Sequence, residues 1–488
     1  MASINELREV RLAKIQKLKE KGINPYPATS SITHNVAQAN IDFDTLSQTQ
    51  TQVVLGGRVM SIRAQGALIF FNFFDGIGTF QSLLKNEDST KDAFELFNET
   101  VDIGDFVEVT GSLFTTRTGQ KTIQASSWKM LSKSLLPLPE KWHGLQDVDE
   151  RFRKRYLDAL MDEEVRNKFI ARSKTISLIR EILNKSGYLE VETPTLQPIY
   201  GGASAEPFTT HHNALDIDLF LRISPELYLK RMIAAGFPKV YEIARNFRNE
   251  GIDVTHNPEF TMLEFYESFS DAPKQMKFVE EMIRTLVKDI CGGNEMSFED
   301  KKIDFSKPFR VVSYMDLLKN EAGISDPLSA TKDELIKKAE SFGVAVDPTD
   351  SEMKLLDNIY KKVCRPNIFE PTFIIEYPAD YLPLAKRNEK NPKLVDAFQL
   401  VIANVEVSKA FSELNDPIDQ AERLSIQESQ SQKGEADAQR KDDDFIEAME
   451  HGMPPMGGVG IGIDRLVMLL TNTRNIKEVI FFPTMKPR

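Results

Sequence analysis

Hydrophobic and polar positions alternate with a period of two through much of residues 51–135 and then change to helical spacing, so the chain divides into a strand-rich first part and a longer mixed part. In the first part Val53–Val59, Leu68–Phe74, Thr79–Leu84, Phe106–Leu113 and Lys121–Met130 read as strands, with turn signals at Asp75-Gly76, Gly104-Asp105 and Thr118-Gly119-Gln120. Five strands in so short a stretch predict a small closed barrel. Ahead of them Ile4, Leu7, Ile15 and Leu18 recur at helical spacing among Arg8, Arg11, Lys14, Lys17, Lys19 and Lys21. That basic helix is either a solvated surface element or a contact for RNA phosphates. From Arg151 the period is helical: Phe169, Ile176, Ile179 and Leu183 predict a long helix ended by Gly187, then a strand over Tyr188–Thr193 before Pro194. Strands are also predicted at Phe373–Tyr377 and Phe398–Phe411, and a polar helix from Pro417 to Glu450. The expected domains are residues 1–50 as a lead-in, 51–136 as the barrel, 137–155 as a linker, and 156–488 with a helical insertion at about 317–362. No internal repeats occur.

Composition narrows the function. The 488 residues are 41% hydrophobic and 27% charged, ordinary for a folded protein, and the net charge of -12 argues against indiscriminate coating of nucleic acid. Only Cys291 and Cys364 occur, so neither a disulfide framework nor a cysteine zinc site is expected and both thiols should be free. Without a long apolar run or a signal-like start, a cytoplasmic location is expected.

Candidate chemistry concentrates in Arg245-Asn246-Phe247-Arg248-Asn249-Glu250, Thr255-His256-Asn257-Pro258-Glu259-Phe260 and Leu263-Glu264-Phe265-Tyr266. If the first and last are strands paired across a Glu250-Gly251 turn, Arg248 and Glu250 share a face. A guanidinium there can grip an α-phosphate bidentately while the neighbouring carboxylate accepts from an adenine amino group. Alone, such a pair reads most simply as a surface ion pair. Its company changes the reading: Gly457-Gly458-Val459-Gly460-Ile461-Gly462 puts glycines where a backbone approaches a ligand, then Arg465 at a helix start. The run matches neither the dinucleotide fingerprint nor a Walker A loop.

In chain order, Tyr188–Thr195 around Pro194, the Arg248 segment and the glycine segment resemble motifs 1, 2 and 3 of class II aminoacyl-tRNA synthetases. Gly201-Gly202-Ala203, His211-His212-Asn213-Ala214-Leu215, Pro225-Glu226-Leu227-Tyr228-Leu229-Lys230 and Phe411-Ser412-Glu413-Leu414-Asn415-Asp416-Pro417 are similar to lysyl-tRNA synthetases of bacterial type, and the likeness covers nearly the whole chain. The resemblance implies an α+β protein, with an N-terminal OB-fold barrel that binds the tRNA anticodon. A catalytic domain follows, an antiparallel sheet flanked by helices, with motif 1 at a homodimer interface. It implies activation of L-lysine by ATP to lysyl-adenylate, transfer to tRNA(Lys), and Mg2+ as cofactor.

By that resemblance Arg248 and Arg465 are catalytic, Arg248 holding the α-phosphate and the substrate carboxylate. Glu250, His256, Asn257, Phe260, Glu406 and Gly462 join them around ATP, with His256 toward the γ-phosphate and adenine between Phe260 and Arg465. Glu226 takes the α-ammonium, Glu264, Tyr266 and Glu413 surround the ε-ammonium, Phe411 lies on the aliphatic stem, and Gly202 lines the lysine site. Any one glutamate alone would more simply serve an internal salt bridge, but three converging carboxylates ask for a cation. In-line attack by a carboxylate on a phosphate needs positioning and charge neutralisation more than a general base, and no Ser/His/Asp set is required.

Two positions depart from the family pattern. Lys409 stands where asparagine is usual and is expected to pair with the substrate carboxylate. Gln399 stands for the first of two magnesium-binding glutamates, the second being Glu406, so fewer or weaker ions are expected. In the barrel, Asn72 marks Phe70 and Phe74 as outward, opposite in sense to Ile69, Phe71 and Phe73. By the resemblance Phe70 stacks on an anticodon base beside Arg63 and Gln81; the plainer alternative is packing within the chain. Lys129-Met130-Leu131-Ser132-Lys133-Ser134 imitates a class I signature with one residue inserted, but it ends a barrel strand with no nucleotide-binding fold before it. The pair His211-His212 lacks a third metal ligand at suitable spacing and reads as locally hydrogen-bonded. Two other functions stay open: a ligase joining lysine to protein, against which the barrel argues, and a noncatalytic RNA-binding relative, against which the intact Arg248, Glu250, His256, Phe260 and Arg465 argue.

Overall fold

The five alternating runs of the first part form strands β1 (Val53–Gln65), β2 (Leu68–Phe74), β3 (Thr79–Lys85), β4 (Phe106–Thr115) and β5 (Lys121–Ser132) of a barrel closed in the order β1-β2-β3-β5-β4. They belong to a computed structural model that describes residues 3–87, 91–139, 145–347, 350–432 and 440–487. The chain makes two compact units dividing after residue 144. Inward positions supply the barrel core, with Ile69, Phe71 and Phe73 buried and the intervening β2 residues partly exposed. A helix between β3 and β4 plugs one end, Phe97 packing on Phe71 at 4.8 Å and edge-on to Trp128 at 5.2 Å. Strand β4 changes register at Gly111, whose backbone lies so close to β5 that a Cβ there would sit 2.0 Å from the Gln124 carbonyl oxygen.

The first helix spans Ile4–Glu20 and starts at a capping box of Ser3 and Glu6. Its apolar stripe is shorter than expected: Ile15 and Leu18 are buried, whereas Ile4 and Leu7 are exposed. Three of its five cations serve the first unit's own packing. Arg11 donates to the carbonyls of Ile103, Ser134 and Leu136, Lys14 pairs with Asp102 at 2.6 Å and Lys17 with Glu99 at 2.6 Å. Arg8, Lys19 and Lys21 remain exposed. The class I look-alike is likewise structural, since buried Lys133 bridges Asp102 at 2.5 Å and Asp105 at 2.7 Å.

In the second unit a strand β6 (Leu189–Glu190) is all that forms of the predicted strand over Tyr188–Thr193. Strands β7 (Leu196–Gln197), β8 (Thr209–His212) and β9 (Ile217–Leu221) make a small sheet, and β10 (Lys239–Phe247) and β11 (Glu259–Ser268) form the central hairpin. Next come a hairpin β12 (Glu295–Phe298) and β13 (Lys301–Asp304), then β14 (Arg310–Ser313), β15 (Thr372–Pro378), β16 (Leu394–Ile402), β17 (Val405–Ser412) and β18 (Met456–Gly462). The main sheet has eight strands in the order β14-β15-β16-β17-β18-β11-β10-β6. It is antiparallel except at its edges, where β14 with β15 and β6 with β10 run parallel, so the expected antiparallel sheet is mixed. The run Phe398–Phe411 is two strands because Ala403 and Asn404 both take positive φ, 48° and 66°, and close a tight turn. The predicted helix from Pro417 to Glu450 is two, Pro417–Gln432 and Asp443–Glu450, the second restarting at an Asp442 cap. Residues 433–439 lie outside the described residues.

One face of the sheet is fully covered. Helices Glu163–Lys185, Ala272–Cys291 and Ile463–Leu470 pack there on Tyr241, Leu263, Phe265, Phe398, Leu400, Val459 and Ile461. On the other face, helices Tyr314–Asn320, Lys332–Ser341 and Glu352–Ile359 cover Ile374, Val395, Ala397 and Val401. Among the described residues no helix is long and apolar enough to cross a membrane, and both cysteines are free. Gly111→Ala should destabilise the barrel by about 1–3 kcal/mol, because the added methyl meets backbone that cannot swing away. Urea unfolding checks this, and an unchanged midpoint would contradict the close approach.

Candidate active site

Register alone assembles the site on the open face. Directly opposed residues of antiparallel strands share a face. One row therefore runs Gln399, Lys409, Gly460, Glu264, Glu242 and the next runs Ala397, Phe411, Gly458, Tyr266, Val240. Glycines occupy the β18 position in both rows, leaving a trough between the side chains of β17 and β11. A bulge adds Glu406 to this face. Leu400 opposes Ser408 while Val401 opposes Glu406, so Val407 is the extra residue, and Glu406 and Lys409, three apart, point the same way. Gly458 departs from the expectation of ligand approach: a Cβ there would lie 2.1 Å from Glu413 Oε1 and 2.4 Å from the Tyr266 ring, so its bareness admits side chains of the protein itself.

Three glutamates do converge. Glu226, Glu264 and Glu413 are 6%, 3% and 1% exposed, and among them sits Lys230, fully buried, which no motif singles out. Its ammonium is 2.6 Å from Glu226 Oε1 and 2.5 Å from Glu413 Oε2. The i,i+4 spacing of Glu226 and Lys230 on one helix was the available signal. Glu264 instead accepts from the Ser224 hydroxyl at 2.7 Å and the Tyr266 hydroxyl at 3.0 Å. Burial, reinforced by Glu226, pushes the Glu264 carboxyl up to about 8 even against those hydrogen bonds. Burial likewise pushes Glu413 up to about 8, against the pull of Lys230. For Lys230, burial works downward, but Glu226 and Glu413 together raise it above an ordinary lysine. Tyr266 is driven well above the usual phenol range by burial and the same carboxylates, so it stays a donor. A fourth glutamate, Glu242, is satisfied by Arg222 at 2.6 Å and by the Thr193 hydroxyl at 2.7 Å. Gly202, at φ +84°, lies against Glu226 and Ser224.

The Arg248 end is arranged differently from the strand pairing expected. Strand β10 ends at Phe247, so Arg248 and Glu250 belong to the loop leading to β11, and the alternation that would align them no longer applies. Arg248 is fixed by its backbone N–H donating to the Pro258 carbonyl at 2.9 Å, and its guanidinium lies 5.0 Å over the Phe260 ring. Its Nε is buried without a partner, and Nη2 reaches only the Ile223 carbonyl at 3.5 Å. Burial lowers the Arg248 pKa. Arg465 donates to the carbonyls of Thr255 at 3.4 Å and Glu406 at 3.3 Å and contacts His256 Nε2 at 2.8 Å. His256 also leans on Asp253 at 2.8 Å, and Asn257 donates to the Glu259 carbonyl at 2.7 Å. Gly462 forms the N-cap of the Arg465 helix.

Lys409 lies 5.2 Å from the Tyr381 ring and 5.9 Å from that of Phe411, and burial lowers its pKa. Of the two positions expected to meet magnesium, residue 399 offers a neutral amide with Lys409 directly across from it, and Glu406 supplies the carboxylate. His211 bonds Asp218 at 3.0 Å and His212 accepts from the Leu215 N–H, so the histidine pair is local structure.

In the barrel, Phe70 is partly exposed with Arg63 opposite it on β1, and Gln81 opposes Asn72 while accepting from the Thr122 hydroxyl at 2.8 Å.

The family model for class II tRNA synthetases (D, K and N) matches residues 147–486, and that for the OB-fold nucleic acid binding domain matches residues 53–131. The lysine–tRNA ligase of Pelotomaculum thermopropionicum is 46% identical over 487 residues, covering 99% of this chain and 96% of that protein. Those of Carboxydothermus hydrogenoformans and Syntrophomonas wolfei are 45% and 44% identical, covering 99% and 100% of this chain and 99% and 98% of theirs.

Lys230→Met should destabilise the catalytic unit by about 3–5 kcal/mol, because it leaves two buried carboxyls without their cation. Chemical denaturation measures it, and a loss under about 1 kcal/mol would mean that the ammonium is dispensable.

Proposed function

The chain belongs to the class II tRNA synthetases, in the lysine–tRNA ligase branch, and from that premise we propose how its residues divide the work of activating L-lysine with ATP and passing it to tRNA(Lys). The observation that carries the assignment is the imbalance of the trough: three buried carboxyls face one buried ammonium, so a cationic side chain completes the set. Glu264 and Tyr266, with Glu413, take the ε-ammonium, Glu226 takes the α-ammonium, and Phe411 and Gly202 line the stem. An amino acid without the ε-ammonium leaves those groups unpaired, which discriminates by roughly 10⁴-fold or more.

In the first step a substrate carboxylate oxygen bonds to the α-phosphorus as the bond to pyrophosphate breaks. In the second a tRNA terminal hydroxyl takes the lysyl group and AMP leaves. Arg248 neutralises the α-phosphate, a role supported by its buried, unpartnered Nε. Lys409 pairs with the lysine carboxylate beside it. Glu250 accepts from the adenine amino group, Phe260 and Arg465 flank the ring, and Asn257, His256, Glu406 and Gly462 complete the ATP site. Arg248 already lies over Phe260, so adenine enters by displacing or sharing that face. Magnesium accompanies the phosphates of ATP, with Glu406 as the charged oxygen donor on the protein.

We place the homodimer contact around Pro194, where Leu189 and Leu196 are exposed, and the enzyme in the cytoplasm. Phe70, Arg63 and Gln81 read the anticodon loop.

Pyrophosphate exchange into ATP should depend on lysine and on no other amino acid, and tRNA(Lys) should then be charged. Glu264→Gln should lower kcat/KM for lysine about 100-fold or more and Lys409→Ala should raise KM for lysine. Phe70→Ala should weaken tRNA binding by about 1–3 kcal/mol with exchange unchanged. Absence of exchange with every amino acid would leave only a noncatalytic role.

A further inference from the structure

Tyr381 has no part in the roles assigned above, yet it touches a residue that does. The Lys409 ammonium rests 5.2 Å from the Tyr381 ring and 5.9 Å from that of Phe411, and all three residues are partly exposed, within reach of a ligand in the trough. The Phe411 contact follows from the strand period, which puts residues 409 and 411 on one face of β17. The Tyr381 contact is made by packing. Tyr381 ends the short turn Ala379–Tyr381 after β15, and its ring stacks on Tyr377 at 5.9 Å and on Tyr314 at 6.4 Å. Those two rings, each 1% exposed, lie 4.6 Å apart and fix its plane from behind. Tyr314 begins the first helix of the insertion, so the insertion reaches the trough through this stack.

The two ammonium groups of the trough are held in opposite ways. Lys230 is closed off by Glu226 and Glu413. Around Lys409, Glu406, Asp357 and Glu226 attract and Lys361 repels, yet among the described residues its ammonium makes no ion pair and no hydrogen bond. A carboxylate partner would neutralise Lys409 and take up its donors. An aromatic face attracts a cation through its quadrupole but neutralises nothing, so the three N–H groups stay free for an incoming anion. Burial, then Asp357, drive the Tyr381 phenol well above its usual range, so the ring stays neutral. A lysine stem is flexible, and a ring that holds its head removes part of the ordering cost that binding would otherwise meet.

Resting on the lysine–tRNA ligase reading, we propose that Tyr381 is a positioning residue: its ring, with that of Phe411, holds the Lys409 ammonium unpaired in the trough, where it receives the carboxylate of the substrate. Tyr381 acts through Lys409 and through the face of its ring, and its hydroxyl is dispensable. The part of lysine that it serves is the carboxylate alone, since the two amino groups are met by the glutamates.

The test measures lysine-dependent pyrophosphate exchange by the full chain with Tyr381→Leu and Tyr381→Phe, each alone and combined with Lys409→Ala. Calorimetry with lysinamide, which keeps both amino groups and lacks the carboxylate, runs alongside. Tyr381→Leu should raise KM for lysine about fivefold or more with kcat within about twofold, and Tyr381→Phe, which keeps the ring, should stay within about twofold of the unaltered chain in both. Lysinamide affinity should be unchanged in Tyr381→Leu. With Lys409→Ala in place, the leucine substitution should move KM by less than about twofold. An unchanged KM in Tyr381→Leu, an equal loss for lysinamide, a phenylalanine variant as weak as the leucine one, or a loss that persists without Lys409 overturns the proposal. Exchange by the unaltered chain that responds to no amino acid overturns the ligase reading itself.

Discussion

Three carboxyls buried within reach of one another repel, and Lys230 offsets only part of that repulsion. Its ammonium bonds Glu226 and Glu413, so Glu264 is left to Ser224 and Tyr266, which are neutral donors. A buried carboxyl with neutral donors keeps its proton near neutral pH, and this is why Glu264 stands at about 8. Everything around it serves that arrangement. The Glu226 helix brings Lys230 inward one turn later, β11 places Glu264 and Tyr266 on one face, and Gly458 makes room for Glu413 and the Tyr266 ring.

The same sheet sets the ATP side. A single extra residue in β17 turns Glu406 toward Lys409, and without it the two would face opposite sides. Arg465 at the start of the last helix reaches the Glu406 carbonyl, while Asp464 beside it accepts from the Thr261 N–H at 2.6 Å and pairs with Arg172 at 2.6 Å. That buried contact pins the helix to β11, so Arg465 and Glu264 are carried by elements locked to each other.

The sequence was most legible where one physical rule decided the outcome. Period-two runs located all five barrel strands, and the inward sense of Ile69, Phe71 and Phe73 followed from Asn72 alone. It was least legible where tertiary contacts decided. The Gln-rich segment has helical composition throughout, yet the Asp442 cap begins a separate helix. Phe398–Phe411 looks continuous because its turn uses Ala403 and Asn404 rather than glycine. The glutamates stand in recognisable motifs, whereas the only sign of Lys230 in the sequence is its i,i+4 spacing from Glu226. Only burial distinguishes it from surface lysines.

Burial holds the Glu264 and Glu413 carboxyls up at about 8, so the pair carries a proton at neutral pH that an arriving ammonium must drive out. Lysine affinity should then rise as pH climbs from about 5 toward 8, since the ionised form that binds is the form favoured by higher pH. The direct measurement is calorimetry of lysine binding at pH 7 in buffers of different ionisation enthalpy. Release of about one proton or more per lysine is the predicted result. A binding enthalpy independent of buffer, with affinity flat across that range, would mean that the carboxyls are already ionised and would contradict the charge imbalance on which the site depends.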